Sequence, residues 1–254
     1  MVIPTTTYHH ISLVTCGVEQ LDRLFNLFSK EKNLKMGKKI YLSPSNQKEN
    51  TYSTGNTNEC VQCNKIAESA KEALSRCDFE VKKAPEGQAI NTTINESNSW
   101  KADLHISIHT NAYNGTVTGG TLVMLYSMAD ENAKVGKAIL DAVAPISPGP
   151  DYALRVNPSL AELNGTTAIA VYLEIEMHDT KIGSDWIISN TKTIGEAICQ
   201  GVCNYYGITY KPEPSDKLYK VQIGAFKEKS NAESCLNKAK KASFDDAFIV
   251  EVPV

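Results

Sequence analysis

The stretch LHISIHTNAYNG, from Leu104 to Gly115, reads as a β-strand that runs into a loop rich in Asn and Gly. Because successive side chains of a strand point to opposite faces, His105 and His109 share one face. Four residues of strand span about 13 Å, so the two imidazoles cannot bind the same metal ion. We therefore expect His109, at the strand end, to be a ligand and His105 to be a buried or supporting histidine.

Other segments with the composition of β-strands alternate with segments of helical periodicity. The predicted strands cover 39–43, 79–83, 103–109, 121–127 and 168–176, the last with the nearly continuous apolar run of a central strand. The predicted helices cover about 58–76, 130–144 and 190–206. This alternation indicates an α/β fold, with a twisted, mostly parallel sheet flanked by helices.

The pattern divides the chain into four parts. Residues 1–35 fit poorly with the segment that starts at Met36 and are interpreted as an N-terminal extension, while 36–207 form the main domain. The two prolines and the charges of 208–217, which follow Gly207, predict a linker. Residues 218–254 predict a small β-α-β unit, with strands LYKVQIGAF and DAFIVEV around a helix capped by Ser230. A unit of this size is too small to bury a core of its own, so we expect it to dock or to remain marginally stable.

Composition argues against several classes of function. The net charge of −3 provides no basic field for nucleic acid, and no apolar run approaches the roughly 20 residues of a membrane span. The first 20 residues contain no Lys or Arg and only a broken apolar segment, so no signal peptide is predicted. We expect a protein that is made in the cytoplasm and binds neither nucleic acid nor the bilayer interior, while its oligomeric state stays open.

The seven cysteines are an odd number in a chain that does not need disulfides, which favours free thiols. Cys60 and Cys63 form a CxxC pair that would be half of a four-cysteine zinc site, but no second pair follows. Two buried thiols at a helix start are the favoured interpretation. Cys199 and Cys203, one helical turn apart, are predicted to lie in the core.

Polar residues gather where the predicted strands end, which is where open α/β sheets bind ligands. They comprise the segment SPSNQ after the first strand, Glu59 at the first helix, His109 with Asn111, and the segment from Glu174 to Asp179. Asn114 precedes a glycine, so a turn is at least as good an explanation for it as a binding role.

The order of these segments over residues 39–207 resembles the zinc-dependent N-acetylmuramoyl-L-alanine amidases of the type-3 catalytic class, and SIHTNA at 107–112 is the most specific match. The resemblance implies that Glu59 and His109 bind Zn²⁺ and that Glu174 is catalytic. It also implies a substrate, the amide between N-acetylmuramic acid and L-alanine in peptidoglycan. The residues alone would indicate only hydrolysis of an amide or ester by metal-activated water.

One family position is not matched. The first metal-binding histidine should fall near Ser45 or Asn46, where this chain has LSPSNQKEN and no histidine. A carboxamide oxygen from Asn46 or Gln47 is a poor zinc ligand compared with imidazole. We expect His178, just past Glu174, to be the substitute ligand; the alternative is a histidine that is hydrogen bonded within a loop.

The C-terminal segment resembles one half of a SPOR repeat, whose usual role is to bind peptidoglycan glycan strands, through VQIGAF followed by NAE. The favoured hypothesis is a cell-wall amidase of the endolysin or autolysin type, which reaches the wall through a holin-type release or lysis. The alternative is a catalytically inactive peptidoglycan-binding protein whose metal site has degenerated.

Overall fold

A computed structural model describes residues 37–116, 119–214 and 222–251. The predicted extension at 1–35 lies outside the described residues. The chain divides into two compact units, Met1–Pro212 and Glu213–Val254, and the boundary falls inside the predicted linker.

The larger unit contains one six-stranded sheet. In chain order its strands are β1 (Lys39–Pro44), β2 (Glu80–Lys83), β3 (Leu104–Asn111), β4 (Leu122–Leu125), β5 (Ala153–Val156) and β6 (Ile169–Met177). Their order across the sheet is β2-β1-β3-β6-β4-β5, and every neighbouring pair is parallel except β4 and β6. The five predicted strands and the mostly parallel sheet are confirmed, whereas β5 was not predicted.

Five helices belong to the same unit: α1 (Glu59–Arg76), α2 (Ile90–Trp100), α3 (Asp130–Val143), α4 (Ala161–Gly165) and α5 (Lys181–Tyr206). The sequence pattern predicted α1 and α3 nearly to their ends. Helix α5 starts nine residues before its predicted first residue, Asn190, because two helical segments meet at a kink there. Helices α2 and α4 were missed.

Alternation along the strands separates an apolar face of the sheet from a polar one. On β3, Leu104, Ile106 and Ile108 enter the main core together with side chains of α1, α3 and α5. His105, Ser107 and His109 point to the opposite face and are nevertheless buried. The polar side chains that resemble a site therefore lie on the sheet face opposite the main core, at or near the carboxyl end of the central strands.

The described part of the smaller unit, 222–251, contains one helix, α6 (Lys229–Lys241), and no strand. The described parts of the two predicted flanking strands, 222–226 and 246–251, therefore form no strand, and the rest of each predicted strand lies outside the described residues. The helix starts one residue before Ser230, and its N-cap residue is Glu228 instead. In the three described ranges, no helix is long and apolar enough to cross a bilayer.

Candidate metal and catalytic site

The structure brings Glu59, His109 and Glu174 to one place. Glu59 opens α1, and its Oε1 lies 2.8 Å from Nδ1 of His109. His109 and Glu174 are direct neighbours across the parallel pair β3 and β6, so their side chains share a face. Three residues spread over more than a hundred positions thus converge because one helix begins and two strands end at the same edge.

Local hydrogen bonds fix the position of Glu59. Asn58 caps α1 by accepting a bond from the backbone N–H of Val61, which sets the first turn and the direction of the next side chain. Asn50 Nδ2 donates to Glu59 Oε2 at 2.6 Å, and the backbone N–H of Thr110 points at Oε1 from 3.4 Å. The carboxylate is therefore buried, with partners for both oxygens.

The position of the missing histidine is occupied by two carboxamides that behave differently. Asn46 turns away and donates to the backbone oxygen of Gln88 at 3.0 Å. Gln47 turns inward, with its Nε2 3.4 Å from Nδ1 of His109 and its Oε1 accepting from Asn50. Gln47, rather than Asn46, is thus the neutral side chain that reaches the Glu59–His109 pair.

The structure does not bring His178 to this pair. Its Nδ1 lies 3.0 Å from both Oγ1 and the backbone oxygen of Thr110, and its ring stacks on Tyr52 with centroids 5.1 Å apart. Among the residues with described coordinates, no third His, Cys, Asp or Glu ligand atom joins Glu59 and His109 within 4.8 Å. The alternative of a histidine held by hydrogen bonds matches this geometry, and the expected three-ligand set with His178 does not form.

Glu162, at α4, was missed by sequence reasoning and lies between the two histidines of β3. Its Oε1 is 3.1 Å from Nε2 of His105, and its Oε2 is 3.9 Å from Nε2 of His109. Ser43 donates a short hydrogen bond to the same carboxylate, whose side chain is 4% exposed. The expected support from His105 therefore acts through a shared carboxylate. Its one sequence signal is a single acidic residue within the apolar segment SLAELNG.

The charges of this network perturb one another strongly. Burial lowers the pKa of His109, but contacts with Glu162 and Glu59 outweigh burial and raise that pKa to about 9. Burial raises the pKa of Glu59 and of Glu162, yet in both the hydrogen bonds from the histidines prevail and hold the pKa below its usual value. Without a metal ion, His109 is thus an imidazolium between two carboxylates.

Glu174 lacks such compensation. Burial raises its pKa to about 7, opposed by the charge of His109 and assisted by that of Glu59. Its Oε2 is buried without a hydrogen-bond partner in the part of the chain that the structure describes. A carboxyl group with a pKa near neutrality can accept and return a proton at physiological pH, which is what general acid–base catalysis requires.

The loop after β3 is held by Asp179 at the end of β6. Its Oδ2 accepts from the backbone N–H groups of Tyr113 and Gly115, each at 2.7 Å. Asn114 adopts a left-handed backbone with φ of 57°, as a turn requires, and Asn111 bonds to the N–H of the following residue. Both asparagines therefore have local roles, and Tyr113 is an exposed aromatic side chain of this loop.

The donor set fits a metal ion at Glu59 and His109. Zinc binds carboxylate oxygen and imidazole nitrogen, and these two atoms already face each other at 2.8 Å. The carboxamide of Gln47 lies next to them but presents its Nε2, which has no lone pair for a metal, while its oxygen accepts from Asn50. The unpartnered oxygen of Glu174 lies on the same face. The site thus offers two potential ligands, one neutral neighbour and one carboxyl group without a partner.

Comparison with known proteins gives one consistent result. The profile of the N-acetylmuramoyl-L-alanine amidase family matches residues 40–204, and the SPOR domain profile matches residues 204–251. A sporulation-specific N-acetylmuramoyl-L-alanine amidase of Bacillus subtilis (strain 168) is 29% identical over 167 residues. The alignment covers 64% of this chain but only 63% of that relative.

Solved structures share the fold. The catalytic domain of CwlV, an N-acetylmuramoyl-L-alanine amidase from Bacillus (Paenibacillus) polymyxa var. colistinus, gives a TM-score of 0.61 at 15% identity, covering 68% of this chain and 99% of that one. An N-acetylmuramoyl-L-alanine amidase from Clostridium difficile 630 also gives 0.61, at 21% identity and with coverage of 67% and 97%. At these identities the likeness shows a common architecture.

Proposed function

The chain belongs to the N-acetylmuramoyl-L-alanine amidase family, and we propose that it hydrolyses the amide between N-acetylmuramic acid and L-alanine in peptidoglycan with a zinc ion held by Glu59 and His109. The observation that carries this proposal is the convergence of these two ligands with Glu174, a buried carboxyl group whose pKa is raised to about 7. His178 is left out of the ligand set because, in the described part of the chain, neither of its ring nitrogens joins the Glu59 and His109 ligand atoms in a group within 4.8 Å.

The ligands act as a pair that Glu162 orients. A carboxylate on Nε2 of His109 keeps a proton on that nitrogen, so Nδ1 can offer its lone pair toward the ion beside Glu59. Bound zinc lowers the pKa of a coordinated water to about 7 and polarises a carbonyl oxygen. Gln47 stands where the family resemblance implies a histidine and presents its amide Nε2 rather than a ligand atom, so we expect weaker zinc affinity than a three-ligand site provides.

Glu174 is the proposed proton carrier. Its unpartnered Oε2 accepts the proton of the attacking water and then delivers it to the leaving amine. Burial keeps its pKa near 7, so the group is ionised often enough to act as a base and is still able to act as an acid. No other carboxylate of the site is placed for this role, since Glu59 and Glu162 are held in the ionised form by the histidines.

The substrate and setting follow from family and domain content. The SPOR domain match supports peptidoglycan as the partner, and we propose that the C-terminal unit brings the catalytic domain to glycan strands. An endolysin-like or autolysin-like enzyme that reaches the wall through a holin-type release or lysis is consistent with these features.

A second candidate is an inactive peptidoglycan-binding protein. It is favoured by one observation, the salt bridges of His109 with Glu59 at 2.8 Å and with Glu162 at 3.9 Å, which satisfy the network without a metal ion. The absence of a histidine at positions 45–47 points the same way. Metal content separates the candidates, because the enzyme requires one zinc ion that depends on His109.

The experiment is release of new L-alanine amino termini from purified peptidoglycan by the full chain. We expect activity that is abolished by a chelator, restored by zinc, and reduced about 100-fold or more by Glu174→Gln. The matched control is Glu72→Gln, which makes the same change on an exposed helix position and should leave activity intact. Activity that survives both the chelator and Glu174→Gln would exclude the proposed mechanism.

A further inference from the structure

Three cysteine thiols meet in the core, away from the site described above. Cys77 is the C-cap residue of α1, and Cys199 and Cys203 lie one turn apart on α5; all three are fully buried. Cys199 Sγ is 3.7 Å from Cys77 Sγ and 3.9 Å from Cys203 Sγ, and all three sulfurs lie within 4.8 Å of one another. Among the described residues this is the only such group of potential metal ligands.

These separations suit a shared metal ion. Three thiolates bound to one ion at about 2.3 Å lie about 3.8 to 4.0 Å from each other, depending on whether the ion is tetrahedral or trigonal. Two of the three sulfur separations are already close to these values and the third is within 4.8 Å, so the sulfurs would need little movement to close around an ion. Cys60 and Cys63, although equally buried, do not form a group of this kind.

One contact favours thiolate sulfur at Cys77, where burial otherwise raises the pKa of the thiol. The backbone N–H of Lys211 donates to Cys77 Sγ at 3.3 Å, the kind of bond that stabilises negative sulfur in metal–thiolate sites. The segment carrying Lys211 is held in place by Tyr210, which donates a short bond to Glu196, and by the ion pair of Lys211 with Asp78. The start of the predicted linker thus packs against this cluster as part of the larger unit.

We propose that Cys77, Cys199 and Cys203 form a three-thiolate site for a soft cation of the Cu(I) class. Soft thiolate ligands select Cu(I) and zinc, and structural zinc almost always takes four side-chain ligands. Here no fourth cysteine or histidine belongs to the group among the described residues, so a cation that accepts three sulfurs fits better. Binding releases the thiol protons and ties the end of α1 to α5.

The test is a titration of the reduced, metal-free full chain with Cu(I) without oxygen, in competition with a chromophoric Cu(I) chelator. We expect the wild type to take up one equivalent that Cys199→Ala and Cys203→Ser both lose, while Cys60→Ser and Cys235→Ser keep it. Cu(I) should also raise the melting temperature of the wild type but not that of the two site variants. Circular dichroism spectra recorded at 20 °C, which is below the unfolding transition, check that both variants fold.

X-ray absorption of the Cu(I)-loaded wild type needs no variant. It should show three sulfur neighbours at about 2.3 Å and no imidazole scattering. Equal Cu(I) uptake by the wild type and both site variants would overturn the proposal, as would nitrogen ligands, which would place the ion at His109. If the wild type takes up no Cu(I) in competition with the chelator, the three cysteines are only packed thiols and the proposal is overturned as well.

Discussion

Replacement of Glu162 by Gln tests whether this buried carboxylate supports the proposed metal ligand. The substitution keeps the shape of the side chain and one oxygen for His105 and Ser43, but it removes the negative charge facing Nε2 of His109 at 3.9 Å. A hydrogen bond to a charged group contributes about 1.5–3 kcal/mol, and removing one partner of a buried ion pair costs about 3–5 kcal/mol. Because one oxygen remains, we expect the free energy of unfolding to fall by about 2–4 kcal/mol.

Two measurements test this role of Glu162. At about 2–4 °C per kcal/mol for a domain of this size, the melting temperature should fall by about 10 °C. Loss of the group that orients a metal-binding histidine should also weaken zinc affinity about 10–100-fold, measured by competition with a chromophoric chelator in a Cys199→Ala background. Glu72→Gln is the control for both. Unchanged zinc affinity with a lowered melting temperature would show that Glu162 only stabilises the fold and would refute its role in orienting His109.

Three further predictions concern the same site. His178→Ala removes the ring stacked on Tyr52 and should lower the melting temperature, yet the protein should still bind one zinc ion by elemental analysis; loss of zinc would restore His178 as a ligand. Gln47→His places an imidazole where the carboxamide approaches His109 and should tighten zinc affinity in the same competition assay, whereas Asn46→His should not. The pKa of His109 is raised to about 9 from an ordinary 6.5, so its contribution to the stability of the metal-free protein is complete below pH 6.5 and is lost as the pH rises through about 9. The pKa of Glu59 is lowered, so the contribution of Glu59 is lost as the pH falls below about 4.5. Urea denaturation from pH 4 to 10 should therefore show a maximum between these limits, and His109→Gln should remove the alkaline decline.

The strands and the long helices could be predicted because their side chains carry the pattern that burial imposes. The run AIAVYLEIE is buried on both faces at the centre of the sheet, and β3 alternates strictly between core and site. Helix α2 was missed because INTTINESNSW is rich in Asn, Thr and Ser, which favour turns and caps over helix interiors. Its register is set by contacts with α4 and β3, such as that of Ser97 with His105, which are absent from local sequence.

The site residues also divide into those that the local sequence pattern predicts and those that tertiary contacts decide. Glu59, His109 and Glu174 each lie at the end of an element, so the rule that ligands gather at carboxyl ends of strands was enough to collect them. Whether His178 points toward that group depends on its side-chain direction, which the stacking on Tyr52 and the bonds with Thr110 decide. Spacing along the chain contains no information on such contacts.

The missing histidine and the ion pairs of His109 both affect how tightly the site can bind zinc. Zinc can bind Nδ1 of His109 only after the proton shared with Glu59 leaves, and the pKa of His109 is raised to about 9. Because this pKa is about two units above pH 7, only about one His109 in a hundred has lost the proton at pH 7. The apparent zinc affinity at pH 7 is therefore roughly 100-fold below its value at high pH. A third histidine ligand would compensate for this loss, whereas Gln47 does not. The two functions considered for the chain thus depend on whether a proton or a zinc ion occupies Nδ1 of His109.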